Sequence, residues 1–405
     1  MNKTITKAIA LAASLAMGTS VLAACSSSAS VDPSKGKVYY LNFKPEAADQ
    51  WKEVAEKYTK ETGVQVTVET AASGTYEQTL KSEMAKDQAP TLFQVNGPVG
   101  YARWKEYCDD MKDTAVYKQL EDSSVALTDG DKVVGVPYVL ESYGIIYNKE
   151  LLQKYFSLPD ATVTSIDKLN SFKALESVAD GIQKHKDELG VQGAFTSAGF
   201  KRQLAGVPLY YEFKADGITE QPAKITGSTL QNFKNIFDLY ITDSTVDPTQ
   251  LSSKTGEDAN SEFALGDAVF YQNGTWAWTD LSSAGVEADN VGMLPIYIGA
   301  KGEEDQGLTT GSENYWCINS KASERDRKAT ADFLKWMITS KDGKNALAVE
   351  MGFSTPFKTF SDVKTENPLI DAYTKSLKEG KKSIPWTYTM IPSEQWKNDL
   401  GSALL

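Results

Sequence analysis

Two carboxylates stand where apolar residues would be expected. Glu141 interrupts the run Gly135-Val-Pro-Tyr-Val-Leu-Glu-Ser-Tyr-Gly-Ile-Ile-Tyr-Asn-Lys-Glu-Leu-Leu152, and Glu313 has the same setting in Gly311-Ser-Glu-Asn-Tyr-Trp-Cys-Ile318. An acid inside such a run is at least partly buried and needs a partner, because an isolated charge in apolar surroundings is costly. The chain also has 8 Trp, 19 Tyr and 15 Phe, several of them in Gly- and Asn-rich turns where no core requires them. Trp276 follows Asn273-Gly274, Trp386 sits in Ile384-Pro-Trp-Thr-Tyr388, and Trp396 sits in Pro392-Ser-Glu-Gln-Trp396. Trp104, Trp278 and Trp336 read instead as core residues. An aromatic face packs on the C–H face of a sugar while carboxylates and amides take its hydroxyls, an unmatched buried partner costing about 1–3 kcal/mol. Two acids are equally what a glycoside hydrolase uses as acid and base. Sequence spacing does not give their separation in space, so binding and hydrolysis both stay open, as does a non-sugar solute such as a polyamine or peptide.

Other chemistries lack their residues. His185 is the single histidine and lies in the charged run Lys184-His-Lys-Asp-Glu188, so no histidine-dependent nucleophile system and no His/Cys metal cluster can be assembled. Ser73-Gly-Thr lacks both a P-loop and a dinucleotide fingerprint, and no cofactor is expected. The net charge of −12 argues against nucleic acid, whose phosphates need a basic face.

The first residues are a targeting segment: Lys3 and Lys7, an apolar stretch from Ile9 to Val21, then Leu22-Ala-Ala-Cys25. This end resembles the lipobox of bacterial lipoproteins, which implies cleavage after residue 24, lipidation of Cys25 and attachment to the outer face of the cell membrane. Residues 1–24 carry two lysines and no acid, so their removal takes the net charge from −12 to −14. Ser26-Ser-Ser-Ala-Ser30 then reads as a flexible tether, residues 25–36 in all. Cys108 and Cys317 both lie in apolar patterns and read as buried thiols rather than a bridge.

The elements that must position the candidates alternate. Val38–Phe43, Val64–Val68 and Thr91–Val95 read as strands, separated by a helix opened by Pro45 and closed by Gly63 and by a second helix through Leu80 and Met84. Strand, helix, strand, helix, strand predicts a parallel α/β sheet, whose ligands gather at the carboxyl ends of the strands. Those ends carry Asn42-Phe-Lys44, Ser73-Gly-Thr-Tyr76 and Asn96-Gly97 followed by Tyr101, which makes Lys44, Gly74, Tyr76, Asn96 and Tyr101 candidates. Tyr143, beside Glu141, and Asn273, beside Trp276, join them. Val136 to Tyr147 reads as a strand crossing from one lobe to another, and Leu308 to Asn319 as a second crossing. Gly299 to Gly307 reads as an exposed loop. The absence of a helix stop before Leu405 is expected to mark a truncated end.

Val136–Leu152, Phe263-Ala-Leu-Gly-Asp-Ala-Val-Phe-Tyr-Gln-Asn-Gly-Thr-Trp-Ala-Trp278 and Gly352-Phe-Ser-Thr-Pro356 occur in the order found in family 1 extracellular solute-binding proteins of carbohydrate ABC transporters, the maltodextrin-binding proteins among them. The chain resembles that family over nearly all of its mature length. The resemblance implies a type II periplasmic-binding-protein fold: two discontinuous α/β lobes, three crossings and a ligand cleft between. Lobe 1 would hold 37–142 and 312–364, and lobe 2 would hold 143–311 and 365–405. It implies a non-enzymatic monomer that takes an oligosaccharide and hands it to the permease of an importer, with Glu141 a sugar contact and Trp276 a stacking platform. Ser197 to Leu204 matches no sugar-contacting motif.

Overall fold

The computed structural model describes residues 31–198, 205–216, 222–387 and 390–403. The targeting segment, Cys25, most of Ser197–Leu204 and Leu405 lie outside these residues. The described chain forms two mixed sheets flanked by helices.

The first sheet runs β2-β1-β3-β11-β5-β4, from β1 (Lys37–Asn42), β2 (Gln65–Thr70), β3 (Leu92–Asn96), β4 (Leu127–Asp129), β5 (Lys132–Pro137) and β11 (Asn314–Ile318). β1, β2 and β3 are parallel, as the strand-helix alternation predicts, and β11 enters antiparallel to both β3 and β5. The helix Ala48–Thr62 buries Trp51, Val54, Ala55 and Tyr58 and ends at Gly63, whose φ of 76° is the left-handed cap that glycine adopts without a steric penalty. Asn96-Gly-Pro runs on from β3 with no loop between. It opens the helix Gly97–Trp104, with proline in the first turn, where its missing N–H leaves no hydrogen bond unmade.

The second sheet runs β12-β10-β6-β8-β7, with β9 also on β6; its strands are β6 (Glu141–Asn148), β7 (Gly193–Phe195), β8 (Ala268–Gly274), β9 (Val291–Leu294), β10 (Gln306–Gly311) and β12 (Lys382–Pro385). A Cβ on Gly144 would meet the Leu294 carbonyl oxygen at 2.2 Å, so this mid-strand glycine admits a neighbouring backbone. The stretch Gln272–Thr279 expected as a turn is strand up to Gly274 and helical from Thr275.

Two connections pass directly between the sheets: β5 to β6 through Tyr138–Leu140, and β10 to β11 through Ser312-Glu313. β6 enters the second sheet at Glu141, inside the stretch expected to belong to the first lobe. A third return follows Phe360, which packs in the first core, and leads to the helix Pro368–Lys378 against β9 and β10. The Leu140 N–H bonds the Ser354 carbonyl at 2.7 Å, tying the first connection to the segment that leads to the third, and Asn367 Nδ2 donates to the Thr275 carbonyl at 2.9 Å, tying the third to the end of β8.

Separate apolar cores sit under each sheet, one around Trp51, Trp316 and Phe333, the other around Tyr143, Phe195 and Phe270. Gly299–Gly307 is anchored rather than merely exposed. Glu303 is buried and accepts the N–H groups of Ile298 and Gly299 at 2.7 Å, of Ala300 at 3.2 Å and of Phe172 at 2.7 Å. Cys317 is buried and Cys108 half-buried, and both are free thiols. Among the described residues no helix is long and apolar enough to cross a membrane.

Candidate functional site

The parallel strands of the first sheet deliver a row of groups at their carboxyl ends. β1 runs into Phe43 and Lys44, and Asn42 clamps that turn: its Oδ1 accepts the Lys44 N–H at 3.1 Å while its Nδ2 donates to the Lys44 carbonyl at 2.7 Å. After β2, Gly74 takes φ 75° and turns the chain into the helix Tyr76–Met84. Tyr76 presents its ring edge-on to Phe43, 5.3 Å between centroids, while its hydroxyl accepts the Gln94 N–H at 2.7 Å.

The second sheet brings Glu141 at the start of β6, Trp276 just past β8 and Trp386 just past β12. The two indoles are nearly parallel, 13° between planes and 6.1 Å between centroids. A cavity of about 140 Å³ lies between these groups, lined by Lys44, Glu46, Gly74, Tyr76, Glu141, Trp276, Glu313, Trp386 and Lys397 with their neighbours.

Each carboxylate in it lies against an ammonium, Lys44 serving two of the three. Lys44 Nζ lies 2.5 Å from Glu141 Oε1 and 3.3 Å from Glu46 Oε1, and Lys397 Nζ lies 2.9 Å from Glu313 Oε1. Burial opposes the Lys44 ammonium, but Glu141 and Glu46 outweigh it and raise its pKa, so it stays charged. Burial pushes the Glu141 carboxyl up although Lys44 draws it down. The arrangement is therefore aromatic surface beside fixed donors and acceptors, with each carboxylate held by an ammonium. Among the described residues no group of three His, Cys, Asp or Glu side chains could hold a metal ion.

Of the residues singled out in the sequence, Lys44, Gly74, Tyr76, Glu141, Trp276, Glu313 and Trp386 meet at this cavity. Tyr143 does not reach it. It shares a strand face with Glu141 but is fully buried, its ring packed 5.7 Å from that of Trp386. Asn96 lines a separate cavity of about 20 Å³ with Asn314, its partner across β3 and β11. Tyr101 donates its hydroxyl to Asp129 at 2.7 Å, away from the cleft. Asn273 donates to the Tyr271 hydroxyl at 2.6 Å. Trp396 packs on the second core, and its neighbour Lys397 takes the place at the cavity. Sequence reasoning missed Lys397 and Glu46. Glu46 is two residues from Lys44, a local signal. Lys397 lies in an ordinary polar helix and carries none.

Both lobes also touch at the cleft rim. Gln78 Nε2 donates to Gln395 Oε1 at 3.1 Å, and Arg103, paired with Glu77 at 2.8 Å, donates to the Pro392 carbonyl at 2.5 Å.

Solved structures share this architecture. The GacH receptor of Streptomyces glaucescens, known unliganded and with acarbose, is similar at 18% identity and TM-score 0.67, over 91% of this chain and 94% of that one. A sugar transporter from Bacillus licheniformis in complex with stachyose is similar at 19% identity and TM-score 0.65, over 91% and 94%. The solute-binding protein RafE in complex with raffinose is similar at 16% identity and TM-score 0.66, over 91% and 98%. At such identities the likeness concerns the two-lobed fold. The sequence pattern of one family matches residues 53–391, from the first helix of the first lobe to the approach to the last helix, and by that match the chain belongs to the bacterial extracellular solute-binding proteins.

Proposed function

We propose that the protein is a sugar receptor of an ABC importer that takes a neutral oligosaccharide into the cavity between its lobes. The carrying observation is the near-parallel indole pair, Trp276 and Trp386, set beside Glu141 and Glu313, each already held by a lysine. Indole faces suit the apolar side of a sugar ring, and charged donors and acceptors fixed at the rim suit its hydroxyls. The similar structures that hold acarbose, stachyose and raffinose support the same ligand class. A polyamine receptor would line its cleft mainly with acids free to meet the ligand's ammonium groups, whereas here Lys44 and Lys397 already contact the three glutamates and two indoles line the rest. A hydrolase needs a free acid and base, and the two candidate carboxylates are ion-paired. Glu141 and Trp276 are the contacts we assign first, then Trp386, Glu313, Lys44, Tyr76 and Gly74, with Glu46 and Lys397 added.

The lobes would comprise 37–142 with 312–364 and 143–311 with 365–405, closing on the ligand by hinge motion at the connections. Cys25 would carry the lipid anchor that holds this monomer at the outer face of the membrane, near the permease to which it delivers its sugar. Calorimetric titration with raffinose, stachyose, acarbose and chitin oligosaccharides tests the reading: saturable binding to one of them is expected, and no binding across the panel overturns it. Loss of labelled-palmitate incorporation in Cys25→Ser tests the anchor.

A further inference from the structure

We infer that Gly274 and Gly311 are positioning residues for the two indoles, glycines kept as bare floor so that Trp276 and Trp386 can lie against the sheet. β8 and β10 flank β6, with Gly274 opposite Tyr143 and Gly311 opposite Glu141. A Cβ on Gly274 would sit 2.2 Å from Trp276 Cζ3, 2.3 Å from Cη2 and 2.6 Å from Cε3. A Cβ on Gly311 would sit 2.8 Å from Trp386 Cβ and 3.2 Å from its Cε3. At Gly274 the overlap is with ring atoms, so a side chain there displaces the Trp276 ring; at Gly311 it is with the Trp386 Cβ, which no torsion moves, so a side chain there pushes the whole residue outward and carries its ring with it.

The backbone does not call for glycine at Gly274. Its φ of −125° and ψ of −176° are extended and open to any residue. The cause is therefore the indole. An indole is a rigid plate with two torsions, so it cannot yield at one edge as a lysine or methionine would; it must rotate as a whole. Rotation of Trp276 breaks its 13° alignment with Trp386 and turns the shared surface away from the cavity. The two glycines thus act on ligand binding through the tryptophans and need not touch the ligand. This inference rests on the reading of the cavity as the sugar site, but its first readout needs no sugar.

The test uses the full chain labelled with 5-fluorotryptophan. The Trp276 resonance, assigned by its loss in Trp276→Phe, is expected to shift in Gly274→Ala while those of the fully buried Trp51 and Trp316 stay in place. Affinity for whichever of raffinose, stachyose, acarbose or chitin oligosaccharide binds tightest is expected to fall about tenfold. In a Trp276→Ala background the same glycine change should cost nothing further, because the ring it displaces is gone. Gly256→Ala, where an added Cβ has no neighbour within 4 Å, is the control. An unmoved Trp276 resonance, or a loss of affinity that adds to that of Trp276→Ala, overturns the inference. Failure of the unaltered protein to bind any of the sugars refutes the receptor reading instead, and the resonance still decides this one. Should Gly274→Ala not fold, Gly311→Ala with the Trp386 resonance carries the same decision.

Discussion

Lys44 Nζ and Glu141 Oε1 are 2.5 Å apart, although one residue follows a strand of the first sheet and the other opens a strand of the second. Their side chains are only 5% and 7% exposed, so each is the other's main compensation for leaving water. Removing one partner leaves a buried, uncompensated charge. Lys44→Met is expected to cost about 3 kcal/mol of unfolding free energy, while Lys44→Met with Glu141→Leu should return to within about 1 kcal/mol of the starting protein. Denaturant unfolding of the starting protein, Lys44→Met, Glu141→Leu and the double variant checks this. A double-variant loss equal to the sum of the two single losses would mean that the pair is not coupled.

Trp276 is half-buried at the cavity, whereas Trp386 is 8% exposed and packs on Tyr143. Trp276→Ala is expected to weaken sugar binding by about 1–2 kcal/mol with little change in melting temperature. Trp386→Ala should lower both affinity and stability, the latter by about 3 kcal/mol, because it also empties core volume. Calorimetry and thermal unfolding of the two variants separate the effects. Unchanged affinity in Trp276→Ala would make that indole packing alone.

Asp243 gives the protein a pH dependence. Burial, then the charges of Asp180 and Glu176, push its carboxyl from 3.8 up to about 7. Between those values the native state holds a proton that the unfolded chain has lost, so stability falls as pH rises from about 4 to about 7. Asp243→Asn should remove this slope and stabilise the protein at pH 8 by on the order of 2 kcal/mol. Denaturant unfolding at a series of pH values reads it, and an unaltered slope in the variant would assign the dependence elsewhere.

Glu303 gathers the amides of Ile298, Gly299 and Ala300 with that of Phe172, the first residue of a helix. Glu303→Ala strands four N–H groups and is expected to destabilise by about 3 kcal/mol, with Glu303→Gln intermediate since it keeps one acceptor. Sugar affinity should be unchanged in Glu303→Gln, because the loop is not at the cavity. Amide exchange of residues 298–300 checks the local effect.

Parts of this site were legible because they broke a pattern. Glu141 interrupts an apolar strand, Trp276 follows Asn-Gly, and Lys44 and Gly74 sit at the ends of strands whose alternation with helices announced a parallel sheet. Tyr143 was misplaced for a reason internal to that logic. Strand alternation correctly puts it on the face of Glu141, but Trp386, more than two hundred residues later, lies over it. Lys397 was invisible because nothing local distinguishes it from other helical lysines. Its ionic partner is Glu313, 84 residues earlier, which the fold alone brings within 2.9 Å. Composition marked Gly299–Gly307 as an exposed loop and could not show that one of its acids folds inward onto backbone amides. Asn96-Gly-Pro carried the punctuation of a turn, and the same proline is equally at home in the first turn of a helix.

The strand order of the first sheet sets a timetable for the newborn chain. β11, Asn314–Ile318, lies between β3 and β5, so the sheet built from the amino-terminal third has a gap at its middle until the polypeptide has emerged past residue 318. Until then β3 offers an unpaired, apolar edge, and β5 has no neighbour on that side. Such non-local closure makes folding slow. The first lobe therefore cannot lock into its final shape while Asn314–Ile318, the strand at its middle, is still to be made.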